Sequence, residues 1–289
     1  MPKAFINGVN IHYQQAGTGS DLVLIHGLSG SLAFWQIRIA PELSRNFRVL
    51  TYDLRGHGQS DMPPVGYRSS DMAADMVALL DCLQIQQAHL VGHSIGGVAA
   101  LHMAALHPDR AASLTICDSR IRGLQPSQKL KGWPHWPLWK ARLEKRGVIL
   151  DDEQEMDFLL LDQLMVPIVS QGNEPVAAAR STAQWQAFLA NTTAKEDLRG
   201  PAGLTDDLIS RITAPAHAIY GEYSFCGPTL EGLRRLLPHL NVTVLPKAGH
   251  FFPFTQPQVF LSHLEAFLKA FNSSQGERED RKDTSPAAE

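Results

Sequence analysis

The pentapeptide Gly92-His93-Ser94-Ile95-Gly96 constrains this chain more than any other segment. It follows the short apolar run 88–91 and opens the small-residue run 97–106, the order of a strand, a tight turn and a helix. Such a turn holds the Ser94 hydroxyl up on a strained bend where a base can reach it. The two flanking glycines have a steric reason, because a sharp strand-to-helix turn leaves no room for side chains two residues before and after its apex. A lone Gly-x-Ser-x-Gly recurs by chance, so its weight depends on the segments around it.

Those segments fall in the order that this one requires. The apolar run 22–25 ends in His26-Gly27-Leu28-Ser29-Gly30, and the run 48–52 is closed by Asp53-Leu54-Arg55-Gly56-His57-Gly58-Gln59-Ser60. Near the far end, 242–245 precede Lys247-Ala248-Gly249-His250-Phe251-Phe252-Pro253. On these motifs the chain resembles the α/β-hydrolase superfamily over residues 4–271, apart from a middle insertion. The resemblance implies an α/β fold, a mostly parallel eight-stranded sheet with helices on both faces. The residues themselves point the same way. Strand-like runs recur at 9–15, 113–117 and 216–220, and apolar residues at helical spacing (Met72, Met76, Leu79, Leu80, Leu83) lie before the serine turn. Further helices are expected near 229–237 and 258–271. Short apolar strands alternating with amphipathic helices mean a parallel sheet covered on both sides.

Between Ser119 and about Thr205 the alternation stops. This stretch holds Trp133, Trp136, Trp139 and Trp185, four of the chain's five tryptophans, with helical runs at 156–165 and 177–190. The expected organisation is a core of 1–118 and 206–271, a helical cap of 119–205 inserted after the sixth strand, and a polar, disordered tail of 272–289. In relatives the cap roofs the active site, so Trp133, Trp136 and Trp139 are candidates for an apolar substrate pocket. Their plainer role is to anchor the cap to the core, as large rings often do.

A serine needs a base, and the base needs a third group to hold its tautomer. Of the twelve histidines, His250 lies in the Gly-His loop after the last strand, where the resemblance places that base. His26, His57 and His93 read as structural. Relatives most often carry the acid as Gly-x-x-Asp after the seventh strand, but here the segment is Gly221-Glu222-Tyr223-Ser224, with serine at the aspartate's place. Three replacements stay open: Asp118, directly after the sixth strand; Glu222; or a dyad of Ser94 and His250 with Ser224 or a water orienting the ring. Asp118 is preferred, and it keeps the chain order Ser, acid, His. The backbone N–H groups of Leu28 and Ile95 are the expected oxyanion donors. Asp53 and Arg55 read as an internal ion pair or loop brace.

Composition narrows the partners. A formal charge of −3 and the lack of a basic stripe argue against nucleic acid, and no run of eighteen apolar residues could span a bilayer. A small-molecule substrate and a cytoplasmic location are expected. Three cysteines without a Cys-x-x-Cys pair imply neither a metal nor a redox cofactor. The leading expectation is a serine hydrolase of carboxylic esters, thioesters or lactones; an elbow aspartate would have pointed to epoxide or haloalkane chemistry instead. Two alternatives are hydrolysis of a carbon–carbon bond in a β-diketone and a non-catalytic ligand-binding member of the fold.

Overall fold

The computed structural model describes residues 2–145, 147–157, 175–200 and 202–283. It contains eight strands: β1 (Lys3–Ile6), β2 (Val9–Ala16), β3 (Asp21–Ile25), β4 (Arg48–Tyr52), β5 (Ala88–His93), β6 (Ala111–Cys117), β7 (Ala216–Gly221) and β8 (Asn241–Leu245). They form one sheet in the order β1-β2-β4-β3-β5-β6-β7-β8, antiparallel at β1, β2 and β4 and parallel from β4 to β8. This is the expected eight-stranded, mostly parallel sheet. Central β5 is buried along its whole length, which is why it reads as a continuous apolar run and not as an alternation.

Helices cover both faces. On one side lie α1 (Ser69–Cys82) and α2 (Ile95–Leu106), which pack Met72, Met76, Leu79 and Leu101 into the larger core. The other face is closed by Trp35, Phe252, Phe260, Leu264 and Leu268. Between β6 and β7 the insertion carries α3 (Trp136–Glu144) and α4 (Pro175–Asn191), and its one β pairing among the described residues is an isolated bridge, Lys129 to Glu155. The helical run expected at 156–165 lies outside the described residues from 158 onward. After β7 come α5 (Gly227–Leu236) and α6 (Pro257–Asp283). The last helix thus runs past Phe271 to Asp283, where the sequence suggested a tail without structure, and 284–289 lie outside the described residues.

From β3 the chain goes to β4 on one side and then crosses back to β5 on the other, so the loops leaving β3 and β5 diverge at their carboxyl ends. That is a topological switch point, where open α/β sheets make their ligand crevice. His26-Gly27-Leu28 and Ser94 leave the sheet at this place.

The fold buries several imidazoles with an acid-sensitive consequence. Burial pushes the pKa of His57, His89 and His217 down to about 4 in each case. In the unfolded chain these rings take up protons near pH 6.5. Between those values the unfolded state binds more protons, so stability that is complete above pH 6.5 is lost as the pH falls toward 4. The slope is about 1.4 kcal/mol per pH unit for each ring. Urea midpoints measured at pH 7, 6 and 5 should therefore fall steadily; a flat midpoint would mean that the rings are hydrated in the folded state.

Candidate active site

Ser94 lies between the end of β5 and the start of α2 at φ 57°, ψ −123°, a conformation that a residue with a Cβ adopts only when its surroundings enforce it. The enforcement is visible at the glycines. A Cβ on Gly92 would stand 2.3 Å from the Gly96 carbonyl oxygen, and one on Gly96 would stand 2.5 Å from that of Ile25 and 2.6 Å from that of His26. Backbone cannot give way as a side chain can. Gly92→Ala and Gly96→Ala should each destabilise the protein by about 3 kcal/mol or more; a thermal midpoint within a degree of the parent would show that the turn can open.

His250 follows β8, and its Nδ1 faces Asp118 Oδ2 at 3.1 Å. Asp118 is the first residue after β6. It is fully buried, sits at φ 48°, and continues the sheet by donating its N–H to Ile219 O at 3.0 Å. Burial pushes its carboxyl pKa up, while His250, the Ser224 hydroxyl and the Gly221 amide favour the charged form. Ser224, standing where relatives carry aspartate, accepts the Cys226 N–H at 3.0 Å. Glu222 is elsewhere: it is exposed, and it accepts the Lys247 N–H at 2.6 Å, bracing the loop that carries His250. Further bonds from Tyr223 N to Ala248 O (2.8 Å) and Glu222 N to Leu245 O (3.0 Å) tie the same two loops together.

Aromatic rings enclose His250: His93 at 4.7 Å, Phe251 at 4.8 Å and Phe225 at 5.0 Å between centroids. His93 Nε2 also donates to the His250 carbonyl at 2.8 Å, and burial holds that ring far below its ordinary pKa, so it stays neutral. His26 accepts the Leu54 N–H at Nε2 (3.0 Å), so Nδ1 carries the proton given to Gly27 O (2.7 Å). It fixes the loop after β3. His57 meets the Arg55 carbonyl at 2.9 Å. Asp53 and Arg55 are both braces but are not paired with each other. Asp53 holds His12 (2.6 Å) and the N–H groups of Leu32 (2.7 Å) and Gln59 (2.8 Å), whereas Arg55 makes a two-pronged ion pair with Asp75 at 2.6 Å.

Beside Ser94 lies a cavity of about 90 Å³ that both expected oxyanion residues, Leu28 and Ile95, help to line. Ile95 is the first residue of α2, so its N–H has no carbonyl to bind within the helix. The wall continues through Val98, Ile121, Leu204 and Phe225, with Arg120 and Arg122 as its basic members. Trp133, Trp136 and Trp139, expected in a pocket, take no part in that wall. Trp133 is buried against Trp139 and Phe225, Trp136 donates Nε1 to Asp152 at 2.7 Å, and Trp139 lies 3.4 Å from where a Gly249 Cβ would stand. They pack the insertion onto the core, their plainer role. The arginines escaped sequence reading, although their position just past Asp118 at the carboxyl edge of the sheet was a signal.

Ser94 and His250 share no hydrogen bond in this structure, a looseness common in unliganded sites. Among the described residues, Asp118, Cys226 and His250 bring possible metal donors within 4.8 Å of one another. Burial pushes the Cys226 thiol pKa well up. The arrangement suits proton transfer between a hydroxyl, an imidazole and a carboxylate.

Comparison with known proteins agrees with this fold. The family model for the alpha/beta hydrolase fold matches residues 22–257. A RutD-type protein of Pantoea ananatis, whose name gives carbamate hydrolysis, is 44% identical over 104 residues; the match covers 36% of this chain and 38% of that relative, less than half its length. The 2-(acetamidomethylene)succinate hydrolase of Mesorhizobium japonicum is 26% identical over 278 residues, 92% of this chain and 94% of the relative. Among solved structures, the enol-lactonase of Burkholderia xenovorans superposes with a TM-score of 0.68 at 25% identity, covering 93% of this chain and all of that one. No helix among the described residues is long and apolar enough to cross a membrane.

Proposed function

This chain belongs to the alpha/beta hydrolase fold family, and on that footing we propose that it is a serine hydrolase cleaving a carboxylic ester, thioester or lactone of a small, largely hydrophobic molecule. The observation that carries this reading is Ser94, held at φ 57° on the rim of a cavity lined by Leu28 and Ile95. In the proposed mechanism Ser94 Oγ attacks the substrate carbonyl while His250 takes its proton. With Nδ1–H given to Asp118, the ring presents Nε2 as the acceptor, and the carboxylate stabilises the imidazolium that forms. The tetrahedral oxyanion is received by the Leu28 and Ile95 N–H groups, donors worth about 3 kcal/mol of barrier each. His250 then protonates the leaving alcohol or thiol; in the second half it takes a proton from a water that attacks the acyl carbon and returns it to Ser94 Oγ as the acyl–Oγ bond breaks and the carboxylic acid leaves. Described residues of the insertion after β6, among them Ile121, Arg122 and Leu204, wall this chamber.

A fluorophosphonate probe tests the reading before any substrate is known. Intact mass should rise by one adduct in the native protein and not in Ser94→Ala. A panel of esters, thioesters and lactones then ranks the leaving groups. A folded protein that takes no adduct and turns over nothing on the panel would remove the proposal.

A further inference from the structure

We propose that the substrate has two unlike arms, a short apolar one in the chamber beside Ser94 and a longer polar one that passes over Gly200 into an adjoining recess. The inference deepens the serine-hydrolase reading, on which it rests for the reaction, by confining the hydrophobic character of the substrate to one arm.

Two spaces meet at Gly200. The chamber of about 90 Å³ holds Ser94, and a more open recess of about 320 Å³ is lined by Arg68, Glu196, Asp197, Gly200, Ala202 and Gly203. Asp197, Gly200 and Ala202 belong to both walls, and Ser69, the neighbour of Arg68, lines the chamber. The two spaces are therefore neighbours across one rim. Glycine is not required at that rim by the backbone. Gly92 and Gly96 answer clashes with carbonyl oxygens and Gly203 has a φ of 80°, whereas neither Gly123 nor Gly200 has a left-handed φ. A Cβ on Gly200 would stand 3.6 Å from Asp197 O, 3.8 Å from Glu196 O and 4.0 Å from Ala202 N, and one on Gly123 would stand 3.6 Å from Leu204 O, all ordinary contacts. A glycine where a side chain would fit raises the entropy cost of folding. What it supplies here is room, since Gly123 lines the chamber and Gly200 lines both spaces.

The two spaces differ in chemistry. Leu28, Ile95, Val98 and Ile121 make the chamber apolar around Ser94. The recess sets one cation, Arg68, against two carboxylates, Glu196 and Asp197. Asp197 is held in place by Thr193 (2.5 Å), the Tyr67 N–H (3.0 Å) and Arg68 (3.4 Å), while Glu196 is exposed and enters no ion pair among the described residues. An alkyl arm gains little in a space open to water and lined by charges, whereas an arm with ether, hydroxyl or amide groups keeps its hydrogen bonds there. The substrate class is an ester or thioester that joins a short apolar group to an uncharged or cationic polar chain.

The test compares ethyl butanoate, short on both sides, with two extended esters: diethylene glycol monomethyl ether butanoate, lengthened at the alcohol, and ethyl methoxyethoxypropanoate, lengthened at the acyl group. The native protein should hydrolyse one of the two with a kcat/KM at least equal to that for ethyl butanoate. Gly200→Phe should lower that ratio by about 30-fold. A ratio within one variant does not depend on how much of it folds. Gly200→Ala restricts the backbone as Phe does but adds only a methyl group, so it should keep the ratio within about threefold and a thermal midpoint no lower than the parent's. Equal loss of short and extended esters in Gly200→Phe, or rejection of both extended esters by a native protein that labels with fluorophosphonate, would overturn the two-armed substrate and leave the hydrolase reading intact. Independently, calorimetry should show one of the extended esters binding to Ser94→Ala and not to Ser94→Ala/Gly200→Phe. Such Gly200-dependent binding in a protein that neither labels nor turns over would keep the passage and remove the hydrolase reading.

Discussion

Replacing Ser94 by alanine should lower kcat on the best ester of the panel by about 10⁴–10⁶-fold, to the level set by the oxyanion donors and binding alone. His250→Ala should cost about as much, and the double variant should be no worse than either single one, because in the proposed mechanism the two residues work as one unit. Neither change should unfold the chain. Ser94 stands at the rim of a cavity and Ala fits the same φ 57° no worse than Ser does, while His250 is held mainly through its ring neighbours and its backbone carbonyl. Steady-state kinetics with circular dichroism on each variant checks this. Costs that multiply in the double variant would mean that the two residues act in separate steps, and the nucleophile–base pairing would fall.

The second large effect concerns the acid. Asp118→Asn should lower kcat by about 10⁴-fold, since an amide in that place stabilises no imidazolium and lets the ring take the wrong tautomer. The substitution is a clean one. Asn is among the few residues that tolerate the left-handed region, so φ 48° at this position is kept, and the volume is unchanged. Glu222→Gln should stay within about threefold of the parent, because that side chain is exposed and serves a backbone N–H of Lys247. A reversal of the two results would move the acid to the β7 loop. Ser224→Ala gives the graded case: it removes one of the groups that favour the charged form of Asp118, against a burial that opposes it.

Much of the site was written in local pattern. The Gly-x-Ser-x-Gly turn is legible because its glycines answer a clash within five residues, and the 2.3 Å approach of a Gly92 Cβ to Gly96 O is that clash. The position of His250 after the last strand is legible because strand and loop are adjacent in the chain. Which acid faces it was left open, since Asp118 and His250 are 132 residues apart and a pairing at that distance has no periodicity to betray it. The same reason hid the partner of Arg55. Asp53 is near in sequence, yet Asp75 on α1 is the carboxylate that reaches the guanidinium. For the tryptophans, composition marked an aromatic insertion but could not say which way each ring points.

What the sequence by itself determined is the alternation of short apolar strands with helices, and with it the parallel sheet, the elbow and the order of the loops along its carboxyl edge. These follow from hydrophobic period and backbone sterics, which act between near neighbours. The tertiary structure alone decided that the carboxylate at His250 comes from the end of β6, and that Arg120 and not a tryptophan shares the chamber with Ser94. Those are contacts between side chains from distant segments, and their distances are set only once the sheet order and the packing of the insertion have fixed where each strand end lies.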